Sequence, residues 1–324
     1  MRYLDVNGLH LSKVGLGTWQ FGSREWGYGD AYAGSEAHAI VRRALDMGVT
    51  LFDTAEIYAT GRSERILGEA LGEQRGEVVV ATKLFPVAPV PPIVRQRVAG
   101  SARRLGLDRI PLYQVHWPNP VVPTSVVMRG MREALDAGRV EAVGVSNYSL
   151  RRWQTAEREL GAPVVSNQVQ FSLAKSKPAE DLVPWAERTG RAVIAYSPLA
   201  QGLLTGRYDE SNRPRGGVRA ANPLFLPENL RRARPLLETL RRIAGAHDAT
   251  PSQVALAWLA YQAPVVVIPG ASTADQMQAN AEAADLDLSA EEHRELNAAG
   301  DDFRPVSGPR ALPAMARAMA SRFS

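Results

Sequence analysis

The chain of 324 residues contains no cysteine. Disulfides, thiol nucleophiles and zinc sites built on thiolates are therefore excluded. Long apolar runs are missing too. The apolar runs, such as residues 164–165 and 265–268, are short, well below the roughly 18 residues that a membrane-spanning helix requires. The opening Met1-Arg2-Tyr3-Leu4-Asp5-Val6-Asn7-Gly8 carries no apolar signal region, which agrees with a cytoplasmic protein. Lysine is scarce: with only Lys13, Lys83, Lys175 and Lys177, arginine makes up 34 of the 38 basic residues. A lysine inside an apolar strand then marks a place for a compact, titratable ammonium, and Lys83 is that residue. The three-glycine dinucleotide fingerprint is also lacking. Val14-Gly15-Leu16-Gly17-Thr18-Trp19 has neither a third glycine nor an immediate helix start, which argues against a doubly wound sheet.

What is present reads as a well-cored globular protein, 45% hydrophobic and 22% charged. The net charge of +4 does not point to nucleic acid, because basic residues alternate with acidic ones, as in Arg132-Glu133 and Glu157-Arg158-Glu159. An Asn7-Gly8 turn between residues 2–6 and 10–12 predicts an N-terminal hairpin. Short β-rich runs follow at 14–16, 50–53, 78–82, 112–116, 142–146, 164–169, 192–196 and 265–268. Helical patterns lie between them, at 36–47, 64–71, 92–105, 125–137, 150–159, 179–188, 228–246, 251–261 and 274–283. Ser35 and Ser63 read as N-caps, Pro251 as a first helical residue, and Gly48 and Gly138 as helix ends. Eight strand–helix alternations predict an α/β fold, a (β/α)8 TIM barrel with an N-terminal β-hairpin and an extra C-terminal helix. With no composition break, residues 1–324 read as one domain. Residues 199–227 are too long for an ordinary connection and so form a candidate functional loop.

Barrel enzymes carry their chemistry at the carboxyl ends of the strands. The predicted strands end in Asp53, Lys83, His116, Ser146-Asn147, Gln168 and Tyr196, each polar after an apolar run. One polar strand end closes a ladder; six consecutive ones suggest a shared rim. Asp, Lys and His do not make a nucleophilic triad. Asp53, Glu56 and His116 could offer metal ligands, but the first strand's end, Gly17-Thr18-Trp19, adds none, so no metal is expected. Tyr58 lies five residues past Asp53 on the loop above the same rim. Its phenol needs help to act near neutral pH, and a neighbouring Lys83 ammonium held by Asp53 would lower its pKa. Tyr58 could then donate a proton to a carbonyl oxygen that His116 orients.

These residues sit in motifs. Gly15-Leu16-Gly17-Thr18-Trp19, Phe52-Asp53-Thr54-Ala55-Glu56-Ile57-Tyr58, Ala81-Thr82-Lys83, Val115-His116-Trp117, Gly144-Val145-Ser146-Asn147, Ala195-Tyr196-Ser197-Pro198-Leu199 and Ile268-Pro269-Gly270-Ala271-Ser272 occur in that order. Over about residues 3–300 the chain resembles the aldo-keto reductases, and within them the bacterial and potassium-channel-β-subunit-like branch. The resemblance implies NAD(P)H-dependent reduction of aldehydes or ketones by a tetrad of Asp53, Tyr58, Lys83 and His116. It implies that Ser146, Asn147 and Gln168 hold the nicotinamide carboxamide and that Tyr196 stacks on the ring, with Thr18, Trp19 and Asp53 adjoining. Ser197, Leu199, Gln201 and Arg207 would cover the pyrophosphate, and Gly270, Ser272, Gln276 and Asn280 would receive the adenosine end. Where relatives place a Lys and an Arg for the 2′-phosphate, this chain has Gly270 and Gln276, so NADPH is expected with NADH as a second cofactor.

Trp19, Trp26, Tyr28 and Trp117 read as an aromatic substrate pocket, while His10, His38, His247 and His293 read as structural. The alternative function is a cofactor-binding regulatory module with little turnover. Such relatives commonly lack the tetrad histidine, whereas His116 is present.

Overall fold

The computed structural model describes residues 1–22, 34–214 and 217–311. A hairpin of β1 (Tyr3–Val6) and β2 (Leu9–Ser12) opens the chain. Its turn places Asn7 and Gly8 at φ 50° and 82°, the left-handed pair that a two-residue hairpin demands. Eight parallel strands follow: β3 (Leu16–Gly17), β4 (Leu51–Asp53), β5 (Val79–Leu84), β6 (Ile110–Val115), β7 (Val140–Ser146), β8 (Val164–Gln170), β9 (Ala192–Tyr196) and β10 (Val265–Val267). They pair in chain order. Val14 bridges Val267 in parallel, and Gly15 and Gly17 donate to Val267 O and Pro269 O at 2.7 and 3.0 Å, so the sheet closes into the expected barrel. The seam needs glycine: a Cβ on Gly17 would lie 2.8 Å from Ile268 O.

Around the strands run α1 (Ser35–Asp46), α2 (Arg62–Leu71), α3 (Pro91–Leu105), α4 (Thr124–Asp136), α5 (Leu150–Leu160), α6 (Pro178–Thr189), the short α7 (Gly217–Ala220), α8 (Pro227–Ala246), α9 (Pro251–Ala260) and α10 (Ala274–Glu282), followed by the extra helix α11 (Ala290–Asp302). Two starts are capped by reciprocal side-chain bonds, Thr250 with Gln253 before α9 and Ser289 with Glu292 before α11. Two expected caps are different. Gly34 and Gly61 precede α1 and α2, so Ser35 and Ser63 fall inside those helices. Ser63 is buried, and its hydroxyl donates to Thr18 O at 2.8 Å and lies 3.0 Å from Thr54 Oγ1. A buried hydroxyl satisfied by the barrel rim has no need to cap a helix. Among the described residues no helix is long and apolar enough to cross a membrane.

The period of two along each strand sets what faces where. Phe52 and Val80 point outward into a cluster with Ile40, Val41, Leu67 and Leu71 of α1 and α2. Leu51, Val79, Ala81, Leu112, Ala142, Ile194 and Val266 point inward and pack with Val6, Leu9 and Leu11, so the hairpin plugs the amino-terminal end. One register step further up, the inward positions are Asp53, Lys83, Gln114, Gly144, Ser166 and Gln168. Gly144 is the small member of this layer, because a Cβ there would collide with Ser166 Oγ and lie 2.9 Å from Gln114 Cγ. The bulge between Val143 and Gly144 shifts the pairing with β8, so β8 continues to Gln170 while Gln168 still faces the interior.

Candidate active site

Lys83 is the centre of the site. It is fully buried, and its ammonium donates to Asp53 Oδ1 at 2.6 Å, Thr54 O at 2.7 Å and Tyr58 Oη at 3.4 Å. Three acceptors use all three N–H bonds, which fixes the third on the phenol. The Asp53 carboxylate is filled from the other side, where Gln168 Nε2 donates to Oδ2 at 2.7 Å. The ammonium also lies 5.0 Å from the centroid of the Tyr58 ring. His116 follows β6, its N–H donating to Leu84 O at 3.0 Å, and its ring meets Tyr58 edge-on at 5.7 Å. Asp53, Tyr58, Lys83 and His116 thus come together from four places in the chain.

Burial governs the ionisation of the group. It pushes Asp53 up and Lys83 down, each opposed by the charge of the other. It pushes His116 down to about 2, helped by the Lys83 ammonium, so the imidazole is neutral at any ordinary pH. Tyr58 differs from expectation. Burial, then the Asp53 carboxylate and Tyr196, hold its phenol well above the usual value. The Asp53 carboxylate, 2.6 Å from the ammonium, offsets the help that Lys83 gives the phenol at 3.4 Å, and burial adds to that. The phenol therefore keeps its proton.

The wall beside the tetrad is aromatic. His116 stacks on Trp117 at 3.8 Å, Phe85 meets both edge-on, and Trp19 lies 6.2 Å from Tyr58. Trp19 and Trp117 are partly exposed here, with Ile57 beside them in sequence to Tyr58 and equally exposed. The other two expected pocket residues, Trp26 and Tyr28, lie outside the described residues. Thr18 does not face a ligand with its side chain. It is buried, donating to Asp53 O at 2.9 Å.

On the other side of Asp53 the expected carboxamide group forms one network. Ser146 Oγ donates to Gln168 O at 2.9 Å, Asn147 Nδ2 donates to His116 O at 3.2 Å, and Tyr196 Oη donates to Asn147 Oδ1 at 3.0 Å. Asn147 holds φ 61°, the left-handed conformation that asparagine tolerates best after glycine. Tyr196 is half-buried at the end of β9. The network offers amide oxygens of Asn147 and Gln168 beside an accessible ring, which fits a flat heterocycle bearing a carboxamide.

Beyond Tyr196 the long connection is not a bare loop. It contains a turn of 3-10 helix at Ala200–Thr205, then α7 and a second 3-10 turn at Pro223–Phe225. Ser197, Ala200 and Gln201 all take positive φ there, following Leu199 into a tight coil. Gln201 is tied inward, accepting from Asn222 Nδ2 at 2.8 Å, while Arg207 is exposed with its guanidinium over the Tyr208 ring. At the start of α10, Gln276 accepts the Ser272 N–H at 2.8 Å and Asn280 donates to Gly270 O at 3.4 Å. Gly270 admits the Gln20 amide, which a Cβ would approach to 2.9 Å. Gln276 and Asn280 thus hold the loop before α10, and the first turn of that helix carries Asp275 and no basic side chain.

Sequence reasoning missed Phe85 and Arg97. Glu56, weighed there as a metal ligand, accepts from both the Phe85 N–H and Arg97 at 2.6 and 2.8 Å. Its place inside the Phe52–Tyr58 motif was a signal; Arg97, one of many helix arginines, gave none.

The chain was compared with known proteins. Residues 13–301 match the model of the Aldo/keto reductase family. An uncharacterized oxidoreductase of Mycobacterium tuberculosis is 63% identical over 323 residues, covering 99% of this chain and 100% of the relative. Among solved structures, a glycerol dehydrogenase from Gluconobacter oxydans superposes with a TM-score of 0.85 at 29% identity, covering 94% of this chain and 97% of that one. An aldo/keto reductase from Klebsiella pneumoniae, solved with NADP and acetate, gives a TM-score of 0.76 at 28% identity, covering 95% and 98%. None of these relatives bears on the channel-β-subunit-like branch. A closed barrel with this rim, matched along nearly its whole length, makes the chain an oxidoreductase of the aldo/keto reductase family.

Proposed function

We propose that this protein uses NADPH to reduce small aldehydes or ketones to alcohols, with Tyr58 as the proton donor. The observation that carries the reading is the Asp53–Lys83–Tyr58 chain, at 2.6 and 3.4 Å, with a neutral His116 edge-on to the phenol. A reduced nicotinamide supplies hydride to the carbonyl carbon. Ser146, Asn147, Gln168 and Tyr196 are the residues to hold it, and Ser197, Leu199, Gln201, Arg207, Gly270, Ser272, Gln276 and Asn280 are those to receive the rest of the dinucleotide.

The protein's own part is to supply a proton and to stabilise charge. A phenol held above its ordinary pKa arrives with its proton in place. As the proton leaves for the substrate oxygen, charge develops on the Tyr58 oxygen, and the Lys83 N–H already directed at it stabilises that charge without rearrangement. Neutral His116 can donate an N–H to the same substrate oxygen, which as a carbonyl can only accept. Trp19 and Trp117 supply an apolar wall, and their exposure at 36% and 41% leaves surface for a substrate to cover. NADPH is the first choice of cofactor through the Klebsiella relative and Arg207, and NADH follows it because Gly270 and Gln276 offer no cation. The whole of residues 1–324 is read as one such unit working in the cytoplasm. A purely regulatory module is not favoured, since a complete tetrad has no purpose without turnover.

The test is consumption of NADPH and of NADH against a panel of small carbonyls, with cofactor affinity measured separately by fluorescence quenching. Turnover with NADPH at a lower KM than with NADH is the expected result. Tight cofactor binding with no carbonyl consumed across the panel would sink the reading in favour of a binding module.

A further inference from the structure

We propose that Glu56 and Arg97 form a positioning clamp that holds the Tyr58 loop and the Phe85 wall of the pocket in fixed register. The proposal rests on the reading of Tyr58 as proton donor. Glu56 stands two residues before Tyr58 on the loop between β4 and α2, and Phe85 directly follows β5. One oxygen of Glu56 accepts the Phe85 N–H at 2.6 Å and the Arg97 guanidinium at 2.8 Å. The same Arg97 nitrogen donates to Phe85 O at 2.9 Å. Both polar groups of Phe85 are thereby held by the pair, and the pair is itself an ion pair, its side chains 11% and 27% exposed.

The Tyr58 loop needs such a tether. Immediately after Tyr58, Ala59 and Thr60 both take left-handed φ values of 45° and 54°, a conformation that L-residues other than asparagine and aspartate rarely adopt. Local preference therefore works against the conformation that presents the phenol. The Tyr58 N–H reaches only back to Ala55 O within its own loop, at 3.1 Å. Rigid contacts from outside must fix the loop. Lys83 fixes the hydroxyl end, and on the α2 side Glu64 accepts from Thr82 at 2.6 Å and from Arg104 at 2.5 Å. Backbone bonds from Thr54 N–H to Ala81 O and Glu56 N–H to Lys83 O join the loop to β5, and the Glu56 carboxylate adds a side-chain tie whose partner Phe85 packs edge-on against His116 and Trp117 at 6.4 and 6.2 Å. A single carboxylate thus sets the distance between the proton donor and the wall that orients the substrate.

The clamp works through geometry and does not require the charge of Glu56 to act on the reacting atoms. Glu56→Gln keeps an acceptor oxygen for Phe85 and Arg97, whereas Glu56→Ala leaves neither. In steady-state reduction, with melting and cofactor affinity measured in parallel, Glu56→Ala is expected to lower kcat at least about tenfold, as misplacement of reacting groups does. Cofactor affinity stays at the wild-type value, and Glu56→Gln restores most of kcat. Wild-type kcat in folded Glu56→Ala overturns the clamp, and so does a Glu56→Gln protein as slow as the alanine variant. Should Glu56→Ala not fold, Arg97→Leu reads the same loss from the other side. Tyr58→Phe in the same assay separates the two claims: turnover surviving that change defeats the donor assignment, and the clamp with it. An inactive Tyr58→Phe beside a fully active Glu56→Ala defeats the clamp alone.

Discussion

The lower interior of the barrel holds Leu51, Val79, Ala81, Leu112 and Ala142 against the hairpin's Val6, Leu9 and Leu11. The upper interior, one inward step along the same strands, holds Asp53, Lys83, Gln114, Ser166 and Gln168. Strand period, twist and closure are common to both. The lower layer contributes stability by removing apolar surface from water, about 25 cal/mol per Å². The upper layer adds little net stability, because buried charges lose hydration that their pairing only offsets. Its return is chemical. Every donor on Lys83 is assigned, and Asp53 is held on both oxygens, so the acid stands ready before any substrate enters. Stability and chemistry are therefore separated by a single register step, and substitutions in each layer should fail in different ways.

The largest effect belongs to the upper layer's outlet. Tyr58→Phe should lower kcat for carbonyl reduction about 10³-fold, within the range general acids contribute. Melting temperature and cofactor affinity should stay near wild type, since the phenol's described contacts are to Lys83, His116 and Trp19 and not to the cofactor network. A variant that lost stability as much as activity would blur the two layers. In the lower layer, Leu112→Ala should cost about 3 kcal/mol in denaturant unfolding, as large-to-small core changes do. Leu112 is fully buried, with Lys83 paired beside the strand two residues on. Protein that remains folded should still turn over near the wild-type rate; a collapse of kcat in the folded fraction would show that the layers are not separate.

The difference also explains what the sequence made legible. Asp53, Lys83, His116, Ser146 and Tyr196 could be read as a rim because a strand's period is rigid, so a polar residue at its carboxyl end has one direction to face. Barrel order and number followed from the same regularity. Ser63 misled because a serine before a helix caps it only if its hydroxyl is not already needed elsewhere, and here Thr18 and Thr54 use it. The acidity of Tyr58 was misjudged for a related reason: proximity to Lys83 was readable, but the burial of the phenol and its nearness to the Asp53 carboxylate were matters of packing. Gln201 lies in a 3-10 turn with positive φ, and Gln276 and Asn280 on α10 bond back to the loop before it; no periodicity announces these bonds. The Glu56–Arg97 clamp joins two connections that are remote in the chain, and it becomes visible only when β4 and β5 are paired.

A smaller effect is expected where the rim turns from chemistry to binding. Asn147→Gly removes the amide while accepting φ 61°, so it separates the side chain from backbone strain. Losing its bonds to His116 O and Tyr196, worth about 1 kcal/mol net each, should weaken cofactor binding roughly tenfold by fluorescence titration. Reduction at saturating cofactor should change less than binding does. Unchanged affinity would take Asn147 out of the binding network and leave it a structural link between β7 and β9.

The smallest expected change is the dependence of reduction on pH, and it sharpens the comparison most. The reaction needs a proton on Tyr58 and charge on Lys83. Burial holds the Tyr58 phenol well above its ordinary value, so it stays protonated through neutral pH. Burial pushes Lys83 down against the opposing Asp53 carboxylate, so its charge is lost as pH rises, earlier than that of an ordinary lysine. Both ionisations therefore act in one direction: kcat should fall as pH rises. His116, held at about 2, is already neutral and adds no acid limb. Between about pH 5 and 8, where an ordinary imidazole changes charge, kcat should show no histidine titration. A wave centred near the ordinary histidine value would mean that water reaches His116 during turnover, and that the upper layer is open where its neighbours Phe85 and Trp117 should keep it dry.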